Sequence, residues 1–189
     1  MVNYLITKRY MKMKMMILIM LIGGFVVLVA CCKTLFPDEK LTMQKKPYTG
    51  NELRTDGYYY HFVKGYNRTV VYFLYRNGII LWGGTYSTIN IDEIETEMIK
   101  LYSEIKKTKD SWGVFIVNGD TIQYEKWVGS ATSRPNTYRY ICWGKIENDT
   151  TIRFTKEYVS ERDETRSIDK VWHFKQFDNK PDSTNNFIK

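Results

Sequence analysis

The chain has few of the residues that mark specialised architectures. Its 189 residues include 4 Pro, 12 Gly, 3 Cys and 2 His. So little Pro and Gly excludes a collagen-like chain and most low-complexity segments. Three Cys are too few for a disulfide scaffold. The length suits one domain, or one domain with appendages.

Catalytic and cofactor motifs are also missing. The sequence contains no H-x-x-x-H, H-E-x-x-H or C-x-x-C spacing, no P-loop, no G-x-S-x-G and no G-x-G-x-x-G. We therefore expect a non-enzymatic protein without a metal or cofactor. The alternative is a hydrolase in which His61 or His173 meets a carboxylate from a loop, because a histidine base needs a partner within hydrogen-bond reach.

The net charge of +7 comes largely from the N-terminus. Residues 1–30 hold four basic residues and no acidic residue, which leaves a net charge of +3 for the rest of the chain. A nucleic-acid-binding domain concentrates basic residues on the folded part. The sequence therefore gives no reason to expect a nucleic-acid partner.

An uncharged apolar run, residues 15–30, follows a basic segment of 14 residues. This order is typical of a secretory signal peptide, with translation starting at Met1, Met11 or Met13. The run has 16 residues, whereas a membrane-spanning helix needs about 20. An uncleaved membrane anchor is the less favoured alternative.

The apolar run ends in Leu28-Val29-Ala30-Cys31, which resembles the lipobox of bacterial lipoproteins. The resemblance implies cleavage between Ala30 and Cys31 and a diacylglycerol on the Cys31 thiol. Two or three acyl chains on one residue hold a protein durably on a membrane. The implied location is the bacterial cell envelope. Cys32 stands where Asp would retain an enteric lipoprotein in the inner membrane, which favours the outer membrane, facing the periplasm or the surface.

Four segments follow from composition. Residues 1–30 are the predicted signal peptide, and 31–52 are a predicted flexible tether behind the lipidated cysteine, since Pro and Gly interrupt any periodicity there. Residues 53–178 form the predicted β domain. The last segment, 179–189, is predicted to be a disordered tail.

Aromatic and β-branched residues are dense from residue 57 onward and are separated by turn signals, which predicts a mainly β domain. One amphipathic helix is predicted over 91–108, with Asn90 as its N-cap. The predicted strands are 57–63, 69–76, 79–86, 112–118, 121–128, 138–147, 150–159 and 170–177.

Short and long connections alternate along these strands. Asn77-Gly78, Asn118-Gly119 and Asn148-Asp149 predict two-residue hairpin turns. In an up-and-down meander all three turns lie at one end, and the long connections, including the helix, lie at the other. The layout resembles the lipocalin-like (calycin) architecture, in which eight antiparallel strands enclose a small ligand cavity. It implies a barrel with a closed floor and an open mouth, with the helix across the opening.

Counting residues back from each hairpin turn predicts which residues pair across it and therefore share one face of the sheet. Across the first turn Phe73 is expected to face Trp82; across the third, Trp143 is expected to face Phe154. The alternative is a solid core, because an eight-stranded barrel can be filled by its own side chains. The predicted interior comprises Phe73, Tyr75, Trp82, Phe115, Tyr124, Trp143 and Phe154.

The predicted function is a lipid-anchored envelope protein that binds a small ligand or a protein partner at the barrel mouth. Tyr66, Arg68, Arg134 and Arg166 are predicted on the long connections, where they could select an anionic or sugar-like ligand. They could equally be solubilising surface residues. The competing hypothesis is a structural, interaction or inhibitor module with a filled core.

Overall fold

The computed structural model describes residues 14–16, 20, 39–129 and 137–189, and its fold is a closed antiparallel barrel with strands in the order β1 to β8. This confirms the predicted eight-stranded meander. One helix, α1 (Ile91–Ile105), lies between β3 and β4. The strands are β1 Gly57–Phe62, β2 Thr69–Leu74, β3 Ile79–Tyr86, β4 Trp112–Asn118, β5 Thr121–Gly129, β6 Thr137–Asn148, β7 Thr151–Val159 and β8 Glu164–Gln176.

The short β2–β3, β4–β5 and β6–β7 turns lie at one end of the barrel, called the floor. The β1–β2, β3–β4 and β7–β8 connections lie at the other end, called the mouth. Strand β8 begins six residues before the predicted position, at Glu164, which pairs with Val159. The predicted long connection over 160–169 is therefore wrong. The chain reverses within four residues, and Asp163 adopts a left-handed conformation (φ 49°) there.

The β2–β3 turn has one more residue than predicted. The Tyr75 N–H donates to the Ile79 carbonyl at 2.9 Å, and Gly78 takes the positive φ of 81° that this longer loop requires. Phe73 consequently pairs with Leu81 rather than with Trp82. Because side chains alternate between faces, the prediction that Phe73 and Tyr75 face the interior is wrong.

An irregularity between β6 and β7 changes a second predicted face. Phe154 lies opposite Gly144, where a Cβ would come within 2.8 Å of the Phe154 ring. Trp143 lies opposite Lys156, whose ammonium is 4.7 Å from the centre of the indole. Trp143 is therefore on the outer face, contrary to the prediction. By contrast, the other four predicted interior residues belong to the interior cluster or pack against it: Trp82, Phe115, Tyr124 and Phe154.

Helix α1 packs on the outside of the barrel wall and not across the opening as predicted. Its buried residues, Ile94 and Met98, join a cluster with the outward-facing Val71 and Phe73 of β2. The Asn90 side chain accepts a hydrogen bond from the Asp92 N–H at 3.1 Å, as expected of an N-cap. The helix ends three residues earlier than predicted, and a short 3₁₀ turn, Lys109–Ser111, leads into β4.

Residues 39–52, here called the strap, are bound along the barrel wall. The fully buried Glu125 carboxylate accepts hydrogen bonds from the Thr42 N–H (2.8 Å), the Thr42 hydroxyl (3.0 Å) and the Met43 N–H (2.6 Å). Further along, Tyr48 is buried in the interior cluster at the floor. The predicted flexible tether is therefore wrong for residues 39–52.

The C-terminal segment, residues 177–189, is also held to the barrel. The Lys180 ammonium donates to the carbonyls of Thr55 (2.5 Å) and Leu74 (2.6 Å), and the Tyr75 hydroxyl donates to the Pro181 carbonyl at 2.8 Å. Phe187 packs against the outer cluster. The predicted disordered tail is wrong, and the folded unit extends from the strap to the C-terminal residue.

Several predictions fall on residues outside the described part, namely the lipobox 28–31 and Arg134. Within the described part, the helices are all too short or too polar to cross a membrane.

The contact between Glu125 and the strap can be tested with Glu125→Gln. The amide replaces one acceptor oxygen with a donor that would face backbone N–H groups, so we expect a loss of about 1–3 kcal/mol in the free energy of unfolding. We also expect faster tryptic cleavage after Lys40 and Lys45. Urea denaturation and timed proteolysis measure these effects. Glu104→Gln, at an exposed ion pair, is the matched control and should change neither.

Candidate functional site

A cavity of about 440 Å³ occupies the mouth half of the barrel interior. Its walls come from the mouth ends of the strands: His61 near the end of β1, Val70 near the start of β2, Val128 near the end of β5 and Tyr138 near the start of β6. The volume is in the range of natural small-molecule sites.

An aromatic stack around Trp172 fills the floor half of the interior. The Trp172 and Tyr72 rings are stacked with centroids 4.4 Å apart, and Phe154 and Tyr124 pack against the same indole at 4.5 and 5.5 Å. Trp172 is only 1% exposed. The interior is therefore solid below this stack and open above it, which argues against a core that is filled throughout.

Lys126 is the most unusual residue of the cavity. It points inward from β5, is only 6% exposed, and forms no ion pair or hydrogen bond with any residue of the described part. Its ammonium lies 5.6 Å from the centre of the Trp82 ring. Burial lowers the pKa of Lys126 to about 8, because a low-dielectric environment disfavours the charged form. Asp110 lines the same cavity and its charge partly offsets the effect of burial, but it forms no ion pair with Lys126.

Another part of the cavity wall carries a cation that is already ion-paired. The Glu157 carboxylate is fully buried and accepts hydrogen bonds from the Lys170 ammonium (2.7 Å), the Arg166 guanidinium (2.5 Å) and the Tyr140 hydroxyl. Burial alone would raise the pKa of Glu157, but the hydrogen bonds from Lys170 and Tyr140 outweigh it and the pKa is lowered. Lys170 is thus less available than Lys126 to an incoming anion.

The two histidines occupy different environments. His61 lines the cavity with its ring parallel to that of Trp172, and burial, together with the nearby Lys170 charge, lowers its pKa to about 4. His173 is exposed on β8. Within the described residues neither ring hydrogen-bonds to a carboxylate, so the pair that a hydrolase mechanism requires is not formed there.

Other reactive groups offer no assembled centre. Cys142 is a free thiol inside the barrel, and burial raises its pKa to about 11. In the described ranges no three His, Cys, Asp or Glu side chains are arranged to hold a metal ion.

The three predicted mouth residues in the described part do not line the cavity. Tyr66 is exposed at the tip of the β1–β2 connection, and Arg68 is exposed in the same connection. Arg166 lies within β8 and binds Glu157. Sequence reasoning missed Lys126, although it stands two residues after the inward-facing Tyr124 on the same strand. The period of two along a strand was the signal that could have found it.

Comparison with known proteins identified no matching family model, no similar curated protein and no similar solved structure. The cavity itself is therefore the basis for a functional assignment.

The charge of Lys126 should affect how the free energy of unfolding depends on pH. Its folded-state pKa of about 8 lies below the ordinary value of 10.5, so the unfolded state holds more protons between these two values. Lys126 should therefore contribute a rise of about 3 kcal/mol in the free energy of unfolding across that window. Lys126→Met should lose this contribution and keep that of Lys180, whose pKa burial also lowers. Urea denaturation of both proteins from pH 7 to 10.5 measures the difference. Lys145→Met, at an exposed floor residue, should behave like the wild type.

Proposed function

We propose that this protein is a non-enzymatic, lipid-anchored protein of the bacterial cell envelope whose barrel binds a small ligand with an anionic group and an apolar body. The observation that carries the ligand proposal is Lys126, a buried ammonium at the wall of a cavity of about 440 Å³. It has no ion-pair or hydrogen-bond partner in the described part, and Asp110 in the same wall only partly offsets the effect of its burial. An unpaired buried charge is costly, and an anionic ligand would offset that cost.

The rest of the cavity wall fits an apolar or aromatic ligand body. Trp82 and Tyr72 present ring surfaces, and Val70 and Val128 add aliphatic surface. Tyr138 brings a hydroxyl group that can hydrogen-bond to ligand oxygens. A neutral sugar would use this hydroxyl but would leave the Lys126 charge unpaired, so we favour the anionic ligand.

The anchoring proposal is supported by the leader. A basic segment, a 16-residue apolar run and Leu28-Val29-Ala30-Cys31 follow one another in the order of a lipoprotein signal peptide. Lipidation of Cys31 would retain the barrel on the membrane after cleavage. With Cys32 next, the outer membrane is the favoured location, and the ligand-binding domain would be extracytoplasmic.

Ligand binding can be tested with anilinonaphthalene sulfonate, a fluorescent aromatic anion. We expect saturable binding to the wild type and at least about tenfold weaker binding to Lys126→Met, because a charge-assisted hydrogen bond is lost. Affinity should also fall as the pH rises past the Lys126 pKa. Lys145→Met is the matched control. N-phenylnaphthylamine, which has the rings without the sulfonate, should not distinguish the variants. Equal sulfonate binding by wild type and Lys126→Met would contradict the proposal.

The anchor can be tested independently with Cys31→Ala. In bacteria grown with radiolabelled palmitate, we expect the label in the wild type and in Cys32→Ala but not in Cys31→Ala, because Cys31 supplies the thiol that is acylated. The alanine variant should also keep its leader, as seen by intact mass. Label in Cys31→Ala, or normal cleavage of its leader, would refute the lipobox assignment.

A further inference from the structure

The mouth of the barrel carries exposed apolar side chains. Phe62, at the end of β1, is 46% exposed; Tyr66, in the β1–β2 connection, is 69% exposed; and Ile89, between β3 and α1, is 56% exposed. These three residues are here called the rim. Their two connections are hydrogen-bonded to each other, since the Thr69 hydroxyl donates to the Thr88 carbonyl at 2.7 Å. The rim is therefore one surface.

The backbone holds the rim in its exposed position. The Val63 N–H donates to the Arg68 carbonyl at 2.9 Å, and the Tyr66 N–H donates to the Val63 carbonyl at 3.0 Å. Gly65, with φ of 80°, permits the tight reversal just before Tyr66. Exposure of Tyr66 is thus a property of a closed turn with a defined conformation.

The strap also starts at the mouth. The Glu39 N–H donates to the carbonyl of Thr137, the first residue of β6, at 3.2 Å. The Glu39 carboxylate accepts from Arg139 (2.7 Å) and from the hydroxyl of Ser160, in the β7–β8 connection, at 2.8 Å. The described chain therefore meets the barrel at its mouth end, and the strap runs from there to the floor, where Tyr48 is buried.

The distance between anchor and barrel is limited by chain length. Residues 32–38 separate Cys31 from Glu39, and seven residues span roughly 15 Å as a coil and at most about 25 Å when extended. A barrel held this closely, from its mouth end, presents the mouth to the membrane. At such a short tether the effective concentration of the lipid surface is on the order of millimolar or higher, so even a small apolar contact is populated.

We propose that the rim inserts into the interfacial region of the lipid bilayer that carries the anchor, so that the cavity opens at the membrane surface. This inference rests on the proposed lipidation of Cys31. Aromatic side chains such as Tyr66 are favoured at the boundary between headgroups and acyl chains. The basic Lys64 and Arg68 beside Tyr66 are balanced by the acidic Asp92 and Glu93 near Ile89. The contact is therefore apolar and should be largely insensitive to salt.

The test uses the full chain, purified from bacteria and reconstituted into phosphatidylcholine liposomes, in a Cys32→Ser background. A fluorescent label is placed at the mouth in Asn67→Cys or at the floor in Asn118→Cys, both exposed positions. Nitroxide-labelled lipids then quench any label near the bilayer. We expect several-fold stronger quenching, and bluer emission, for the mouth label than for the floor label, at both low and high salt. The unsubstituted background protein reports labelling of the buried Cys142.

A rim variant separates insertion from mere proximity. Phe62→Ser, Tyr66→Ser and Ile89→Ser together, with the mouth label retained, should lose most of the quenching while the protein still floats with the liposomes. Equal quenching at mouth and floor, or quenching unchanged in the rim variant, would overturn the rim proposal and leave the anchor standing. Mouth-label burial that appears only when cell extract is added would overturn it in favour of a protein partner. Failure of the wild type to float would overturn the anchor and the rim together.

Discussion

The packing of Trp172 against Tyr72 and Phe154 determines what the inside of this barrel can do. Stacked rings 4.4 Å apart leave no room for a ligand beside them, so they make the lower half of the barrel a solid core. Of these rings, Tyr72 also lines the cavity above. Stability is thereby assigned to the lower half of the interior and the proposed ligand binding to the upper half, because apolar burial below holds the strands together while the upper walls remain free to carry polar groups.

Two lysines at the cavity illustrate how context changes the chemistry of one residue type. Lys170 shares the buried Glu157 carboxylate with Arg166 and Tyr140, so its charge is ion-paired within the barrel wall. Lys126 faces the same cavity beside the Trp82 ring. Asp110 lines the cavity too but forms no ion pair with Lys126, and burial lowers the pKa of Lys126. A buried charge with its partner removed is far less stable than a paired one. This difference between the two lysines is what supports the proposed preference for an anionic ligand.

The sequence predicted the strand order, the helix and the open end, because strand composition and the Asn-Gly turns are local signals. Which side chains point to the interior of the barrel was harder to predict. One additional residue in the loop before Ile79 turned Phe73 and Tyr75 from the interior to the outer wall, where they support α1. The strap could not be predicted, since it has no periodicity and depends on Glu125, 83 residues away from Thr42. Lys126 was predictable from its parity with Tyr124, but a charged residue inside a barrel contradicts the usual composition of a core.

The attachment of the strap has a mechanical consequence. If tension were applied to the chain upstream of Glu39, it would load the contacts at Glu39 first, then those of Thr42 and Met43 with Glu125, and reach Tyr48 last, because these contacts follow one another along the strap. Such serial loading peels contacts one at a time, whereas the closed ring of strands must break many hydrogen bonds together. The strap would thus detach at low force and lengthen the segment that connects the barrel to its proposed anchor. This would happen before the barrel, or a ligand inside it, was strained.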